Sequence, residues 1–247
     1  VKSCLTLIIL IALPILTSCS EDDTPQKTYE ITSNIMSTYA GGEVLTYNFT
    51  YNEQYYDGSG AIDASGKETL YVYSGYTFDS LPNETTNKHV TVYESTALNS
   101  SVNNHYFYDD NLNYHQFVTG NENYYTNQDD PTTGTLVIPN TLVLGSSWTN
   151  NPEFIVFNGV YNDTHNGSRT YTVSNKEYIS VPFGNVETFK IFYSGKFNRI
   201  EISGTLWVHP NIGIVKSTFD AEDTSYPPKH FSHTSNLVSI NWDLEKI

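Results

Sequence analysis

From Tyr29 onward segments in which apolar residues occupy every second position recur many times, and no stretch keeps a helical period for more than two turns. Within Glu43–Tyr51, the residues Leu45, Tyr47, Phe49 and Tyr51 fall on one side and Thr46, Asn48 and Thr50 on the other. Within Arg199–Val208, Ile200, Ile202, Leu206 and Val208 alternate with Glu201, Ser203, Thr205 and Trp207. Successive side chains of a strand leave opposite faces of a sheet, so this pattern specifies strands with one buried and one polar face, as antiparallel sheets allow. Further strands are expected near residues 70–73, 89–93, 104–108, 113–118, 153–157, 169–174, 186–193, 214–219 and 231–240. Turn chemistry is read at Asp57-Gly58-Ser59-Gly60, Ser65-Gly66-Lys67 and Leu81-Pro82-Asn83-Glu84.

The closely spaced hairpin signals, and the absence of a helical-period stretch long enough to serve as a crossover connector, argue against βαβ units and the nucleotide-binding folds built from them. The expectation is an all-β fold, an antiparallel curved sheet forming a half-barrel or a sandwich. The stretch Asn121–Gly134, with Asp129-Asp130-Pro131, is a place where two halves could part, but one β-rich domain over residues 28–247 is the preferred organisation. At 247 residues and 38% hydrophobic the chain can bury a substantial core. Its 12 Lys+Arg stand against 27 Asp+Glu, a formal charge of -15 that repels a phosphate backbone and argues against nucleic acid as a partner. An aromatic content of 14%, with 20 Tyr, separates it from acidic disordered chains.

The N-terminal segment carries an address. Lys2 precedes an apolar run from Leu5 to Leu16, followed by Leu16-Thr17-Ser18-Cys19, which reads as a secretory n-region, h-region and cleavage site. The run is shorter than the roughly 20 apolar residues a spanning helix needs. Leu16-Thr17-Ser18-Cys19 resembles the bacterial lipobox, which implies cleavage before Cys19 and acylation of its thiol. Residues 1–18 are then a lipoprotein signal peptide, residues 19–27 a flexible acidic tether, and the mature chain has a single cysteine and no intramolecular disulfide. The run Cys19-Ser20-Glu21-Asp22-Asp23 resembles the acidic signal that sends outer-membrane lipoproteins to the cell surface in one group of Gram-negative bacteria; the alternative is a solvated linker without an address. The expected location is the outer membrane, with the lipid bilayer as partner through the acyl chains.

Three segments in the second half share an order and spacing: Leu142-Val143-Leu144-Gly145-Ser146-Ser147-Trp148, Val181-Pro182-Phe183-Gly184-Asn185-Val186-Glu187-Thr188-Phe189-Lys190, and Trp207-Val208-His209-Pro210-Asn211-Ile212-Gly213-Ile214-Val215-Lys216. This region, about residues 136–220, resembles exported bacterial proteins and lipoproteins of unknown function labelled TapB-like. His209 and Phe183 depart from that pattern. The resemblance implies a curved antiparallel sheet and brings no active site. Read physically, the same residues are turn chemistry: Pro182 fixes φ, Gly184 and Gly213 tolerate positive φ, and His209–Gly213 forms a hairpin loop. The alternative is a functional surface made by Trp207 and His209.

Linear catalytic motifs are lacking: there is no G-x-S-x-G, H-E-x-x-H, P-loop or C-x-x-C. The acidic neighbours Asp109/Asp110, Asp129/Asp130 and Glu222/Asp223 do not supply the carboxyl separations of glycoside hydrolysis, because strand neighbours face opposite ways. His105 and His115 would face each other across a hairpin with a three-residue turn centred on Asp110, and facing imidazoles bind transition metals; a two-residue turn separates them. His230 and His233 read as surface or core-edge residues. The Asp/Asn clusters at 109–113 and 127–130 lack the ordered calcium-loop pattern and read as loops. No catalytic residue, metal or cofactor is assigned, and Cys19 is the single assigned site. The expected function is a non-catalytic, membrane-anchored binding module for an extracellular glycan or protein, with polysaccharide the favoured class. Tyr rings stack on sugar C–H faces while Asn and Asp take the hydroxyls. Cross-strand Tyr pairing is the competing explanation for the tyrosine excess. The alternatives are a carrier of lipid or another apolar ligand in a curved-sheet cavity, and a cell-surface hydrolase.

Overall fold

The computed structural model describes residues 26–37, 41–76, 88–95, 104–108, 113–119, 123–127, 135–157, 162–225 and 227–241. Cys19, the signal peptide, most of the tether, Leu81–Glu84 and the pairs Asp109/Asp110 and Asp129/Asp130 lie outside the described residues.

The described residues form strands and turns with no helix. The strands are β1 (Thr28–Tyr29), β2 (Val44–Tyr55), β3 (Ala61–Tyr76), β4 (Lys88–Ser95), β5 (Asn104–Tyr108), β6 (Tyr114–Thr119), β7 (Asn123–Asn127), β8 (Thr135–Ile138), β9 (Ser147–Asn150), β10 (Pro152–Phe157), β11 (Asn162–Val181), β12 (Gly184–Phe197), β13 (Ile200–His209), β14 (Gly213–Asp223) and β15 (Lys229–Ile240). They belong to one antiparallel sheet, except that β1 pairs β12 in parallel. The pairing path runs β12-β13-β14-β15-β2-β3-β4-β5-β6-β7-β10-β11, and β11 then hydrogen-bonds β12 along residues 167–181 while its first residues, 162–166, pair β10. Path start and path end are therefore neighbours, and the expected curved antiparallel sheet is what the chain builds.

The alternation in β2 is realised as read: Leu45, Tyr47 and Phe49 are buried, while Asn48 and Thr50 are exposed. One expectation needs correction. Ser65-Gly66-Lys67 is no turn; it lies within β3 in unbroken register with β2, with Gly66 directly opposite Phe49. Glycine occurs inside strands as well as at reversals, and the pairing on both sides of Gly66 places it in the strand. The segment Asn121–Gly134 contains β7, which pairs both β6 and β10 and so carries the sheet across this stretch.

Two turns follow their chemistry. Asn198 adopts positive φ (49°) in the two-residue turn joining β12 to β13, a role asparagine fills because it tolerates the left-handed region. Gly213 has φ 90° where His209 and Gly213 pair to close the β13–β14 hairpin.

The concave face carries the core, in which Val173, Ile191, Val208, Val215 and Leu237 are fully buried. At one end the N-terminal strap, residues 28–37, crosses the sheet. Asn185 N–H donates to the Lys27 carbonyl at 2.8 Å, Met36 N–H to Asn140 at 2.7 Å, Leu142 N–H to Asn34 at 2.9 Å and Ser37 N–H to Pro210 at 2.9 Å. These bonds seat Met36 and Leu142, each 1% exposed, in the end of the core. Each such side chain contributes about 1.5–3 kcal/mol through burial.

Candidate functional site

The polar side chains excluded from the core assemble on the opposite face of β11 to β15. Cross-strand register places Thr170, Ser194, Ser203 and Asp220 in one row and Ser168, Lys196, Glu201, Glu222 and His230 in the next. These two rows line an open groove of about 660 Å³. Its polar character is local in origin: each of these strands turns alternate residues outward, and those residues are almost all hydroxylic or charged. Hydroxyl pairs extend the same face toward β9, with Thr149 and Thr170 Oγ1 atoms 2.9 Å apart and Ser147 Oγ and Thr172 Oγ1 also 2.9 Å apart.

Glu201 and Glu222 stand directly opposite one another. Like charges in that relation repel, and each carboxylate is offset by its own partner. Lys196 Nζ lies 2.9 Å from Glu201 Oε1, and Tyr56 donates its hydroxyl to Glu222. Lys196 holds the Glu201 carboxyl below the usual carboxylate range, by hydrogen bonding first and charge second. Asp220 lies 3.6 Å from His230 Nε2. The groove thus presents ionised acceptors, hydroxyls and one ammonium, a set suited to hydrogen-bonding a polyhydroxylated ligand. No group of three metal-ligating side chains occurs among the described residues.

Toward the strapped end the outward face changes. Thr205 and Trp207, which the alternation placed on a polar, open face, are buried. Lys190 and Lys216 lie 5.4 and 4.8 Å from the Trp207 ring centroid, and the indole N–H donates to Glu177. Glu177 also meets Lys190 at 3.3 Å and is held below its ordinary pKa by the indole hydrogen bond first, with Lys190 adding to it. Trp207 is covered by charged neighbours, a case of lysine stems lying over an aromatic surface.

His209 is 1% exposed. Its Nδ1 accepts the Asn211 N–H at 3.2 Å, and desolvation pushes its pKa down to about 4, with nearby Lys176 adding and Glu187 and the Glu30 main chain opposing. Trp207 and His209 therefore form a covered support and a turn, not an open surface. His105 and His115 do not face each other, because the hairpin register pairs Tyr108 with Tyr114, which places His115 opposite Phe107, and a bulge beyond Tyr106 then sets His105 opposite Val118. His230 and His233, three apart in a strand, leave opposite faces: His230 lines the groove, and His233 turns inward.

Inward, the sequence reading missed two constellations of titratable side chains. His233 stacks on Phe49 (5.7 Å, 22°) and its Nε2 lies 2.6 Å from Oε1 of Glu68, which is 2% exposed. Glu53 accepts from the Tyr51 hydroxyl at 2.5 Å and pairs with Lys229 at 3.0 Å. The Tyr51 bond is the main cause lowering the Glu53 pKa, while burial and that carboxylate push the Tyr51 phenol up. The signal for Glu68 was its position two residues from Leu70 on the apolar side of β3, hidden by the turn reading of Ser65–Lys67.

Half of the tyrosines whose side chains are described go inward. Tyr29, Tyr47, Tyr114, Tyr171 and Tyr193 are buried, and Tyr171 faces Tyr193 across β11–β12 while stacking on Trp148 at 5.1 Å. The large exposed aromatic rings among the described residues are Tyr56, Tyr178 and Phe192, on separate elements.

No family model and no curated protein matches the chain, so the resemblance of residues 136–220 to the TapB-like domain gains no support from that comparison. Among solved structures, the chain is similar to a protein from Bacteroides fragilis described as exported and of YmcC-like fold, with a TM-score of 0.48, 15% identity, and coverage of 85% of this chain and 100% of that one. It is also similar to the lipoprotein YmcC from Escherichia coli, with a TM-score of 0.36, 15% identity, and coverage of 78% of this chain and 84% of that one. A third, described as a lipoprotein from Parabacteroides distasonis, has a TM-score of 0.31 and 12% identity, and the match covers 85% of this chain and 99% of that one. No residue role is transferred from them.

Proposed function

We propose that the mature chain is a lipid-anchored protein of the cell envelope whose β-domain binds an extracellular polysaccharide without transforming it. The observation that carries this reading is the groove over β11 to β15, about 660 Å³ and lined by Ser, Thr, Asp, Glu, Lys and His side chains. A sugar polymer offers many hydroxyls, for which these outward rows supply acceptors and donors, and an open groove leaves room for a chain longer than itself. The non-catalytic part of the reading rests on the lack of a G-x-S-x-G, H-E-x-x-H, P-loop or C-x-x-C motif in the sequence, and the groove's Glu201 is unsuited to one catalytic role, that of general acid. Its carboxyl is held ionised by Lys196, which is the wrong direction for the general acid of a glycosidase, whose pKa is raised. The anchor rests on Leu16-Thr17-Ser18-Cys19 and the apolar run before it.

The test is to pass the purified protein over a panel of immobilised bacterial and plant polysaccharides while measuring the release of reducing ends. Retention on at least one polymer without release supports the reading. Release of reducing ends replaces it with a hydrolase, and retention by none, with a co-purifying lipid, replaces it with a carrier.

A further inference from the structure

We propose that the strapped end of the domain is a membrane-docking face, with Ile35, Val143 and Leu144 seated in the lipid interface. The inference rests on the lipid anchor at Cys19 and adds an orientation to it. It starts from the single β-bridge between Ile35 and Thr141. Side chains alternate about that bridge: Met36 and Leu142 enter the core at 1% exposed, so Ile35 and Val143 leave it, at 53% and 51% exposed. Leu144 follows at 53% in the turn that Ser146 closes by donating its N–H to the Val143 carbonyl at 3.0 Å. Three large aliphatic side chains are thus held outward by a hydrogen-bonded backbone at the end of the sheet that the strap covers, where water is their poorest solvent.

The length and exit point of the tether name the occupant. Residues 19–27 separate Cys19 from β1, and nine residues reach at most about 30 Å when fully extended. The tether joins the sheet at Lys27, whose carbonyl is bonded to Asn185 beside the β11–β12 hairpin. The strap then runs from that point to Ile35. An acylated Cys19 therefore holds this end, and not the opposite one with the turns at 56–60 and 198–199, against the bilayer. The tether acids and the exposed Glu30 repel anionic headgroups, so the contact works by apolar insertion and persists at high salt.

The experiment uses the full chain, acylated in its host and reconstituted into phosphatidylethanolamine–phosphatidylglycerol vesicles. A spin label is placed at Val143→Cys or, at the opposite end, at Asp57→Cys, and its collisions with oxygen and with a water-soluble nickel chelate are compared. The expected result is an oxygen-to-nickel ratio several-fold higher at position 143 than at position 57, unchanged in 0.5 M salt by order of magnitude of screening. Vesicle-bound protein with equal ratios at both positions overturns the docking face and leaves the anchor intact. Protein recovered in the soluble fraction overturns the anchor and the docking face with it. Dipolar broadening between labels at position 143 shows a second copy on this face and also overturns the proposal.

Discussion

Tyr193 lies across Gly204, the residue directly opposite it on β13, and its ring fills the space where a Cβ at Gly204 would stand. From there its hydroxyl donates to the Thr218 carbonyl on β14 at 3.0 Å, so one side chain spans three strands. Gly204→Ala collides with both the ring and that carbonyl and has to displace them, at an expected cost of about 2–3 kcal/mol. Tyr193→Phe keeps the ring and loses only the hydrogen bond, at about 1 kcal/mol. Urea denaturation of the two variants checks the order, and equal losses contradict the geometry.

The Glu68–His233 pair predicts an asymmetry. His233→Ala leaves a buried carboxylate without its partner and removes the stack on Phe49, with an expected loss of about 3 kcal/mol. Glu68→Gln keeps an oxygen or an amide against the imidazole and removes the charge, with an expected loss below about 1.5 kcal/mol. Denaturation at pH 7 reads both, and a larger loss for the glutamine variant refutes the assigned roles.

His209 gives the fold an acid-side weakness. Its folded pKa of about 4 lies below the ordinary 6.5, so the unfolded chain binds the extra proton first, and stability falls as pH drops from 6.5 to 4. The shift corresponds to about 3 kcal/mol, fully lost below pH 4. Glu53, held low by Tyr51 and Lys229, adds a second loss that begins only below its ordinary value of 4.5. Thermal midpoints across pH 4–7 are expected to drop for the parent protein and to drop less for His209→Gln. Parallel curves would remove His209 as the cause.

Much of this architecture was legible in the alternation of β2 and β13, because a strand's period places every second side chain on one face whatever packs against it. What covers a face was not legible. Trp207 alternates with core residues and was read as outward and open; it is outward, but lysines from β12 and β14 lie over it. His209 was read as a turn residue, and it is one, yet its burial comes from a strap far away in sequence. Gly66 carries a turn signal because glycine marks both reversals and positions inside strands, and only its register opposite Phe49 in the β2–β3 ladder decides between them. The groove combines residues of β11 to β15, so no local motif announces it.

Cys19→Ser is expected to release the protein from the membrane fraction, since the acyl chains supply the anchor. Fractionation followed by immunodetection reads this directly. A variant that stays fully membrane-bound contradicts lipidation at Cys19.

The central claim is that the outward groove binds a polysaccharide and leaves it intact, and Ser203→Trp addresses it most directly. Ser203 is exposed and stands in the middle of the polar rows, so an indole there fills the groove without entering the core. On whichever polymer retains the parent protein, retention of the variant is predicted to fall by about tenfold or more, near 1.4 kcal/mol, with an unchanged thermal midpoint and no reducing ends from either protein. Equal retention of a folded Ser203→Trp, or reducing ends released by the parent protein and not by the variant, would contradict the account.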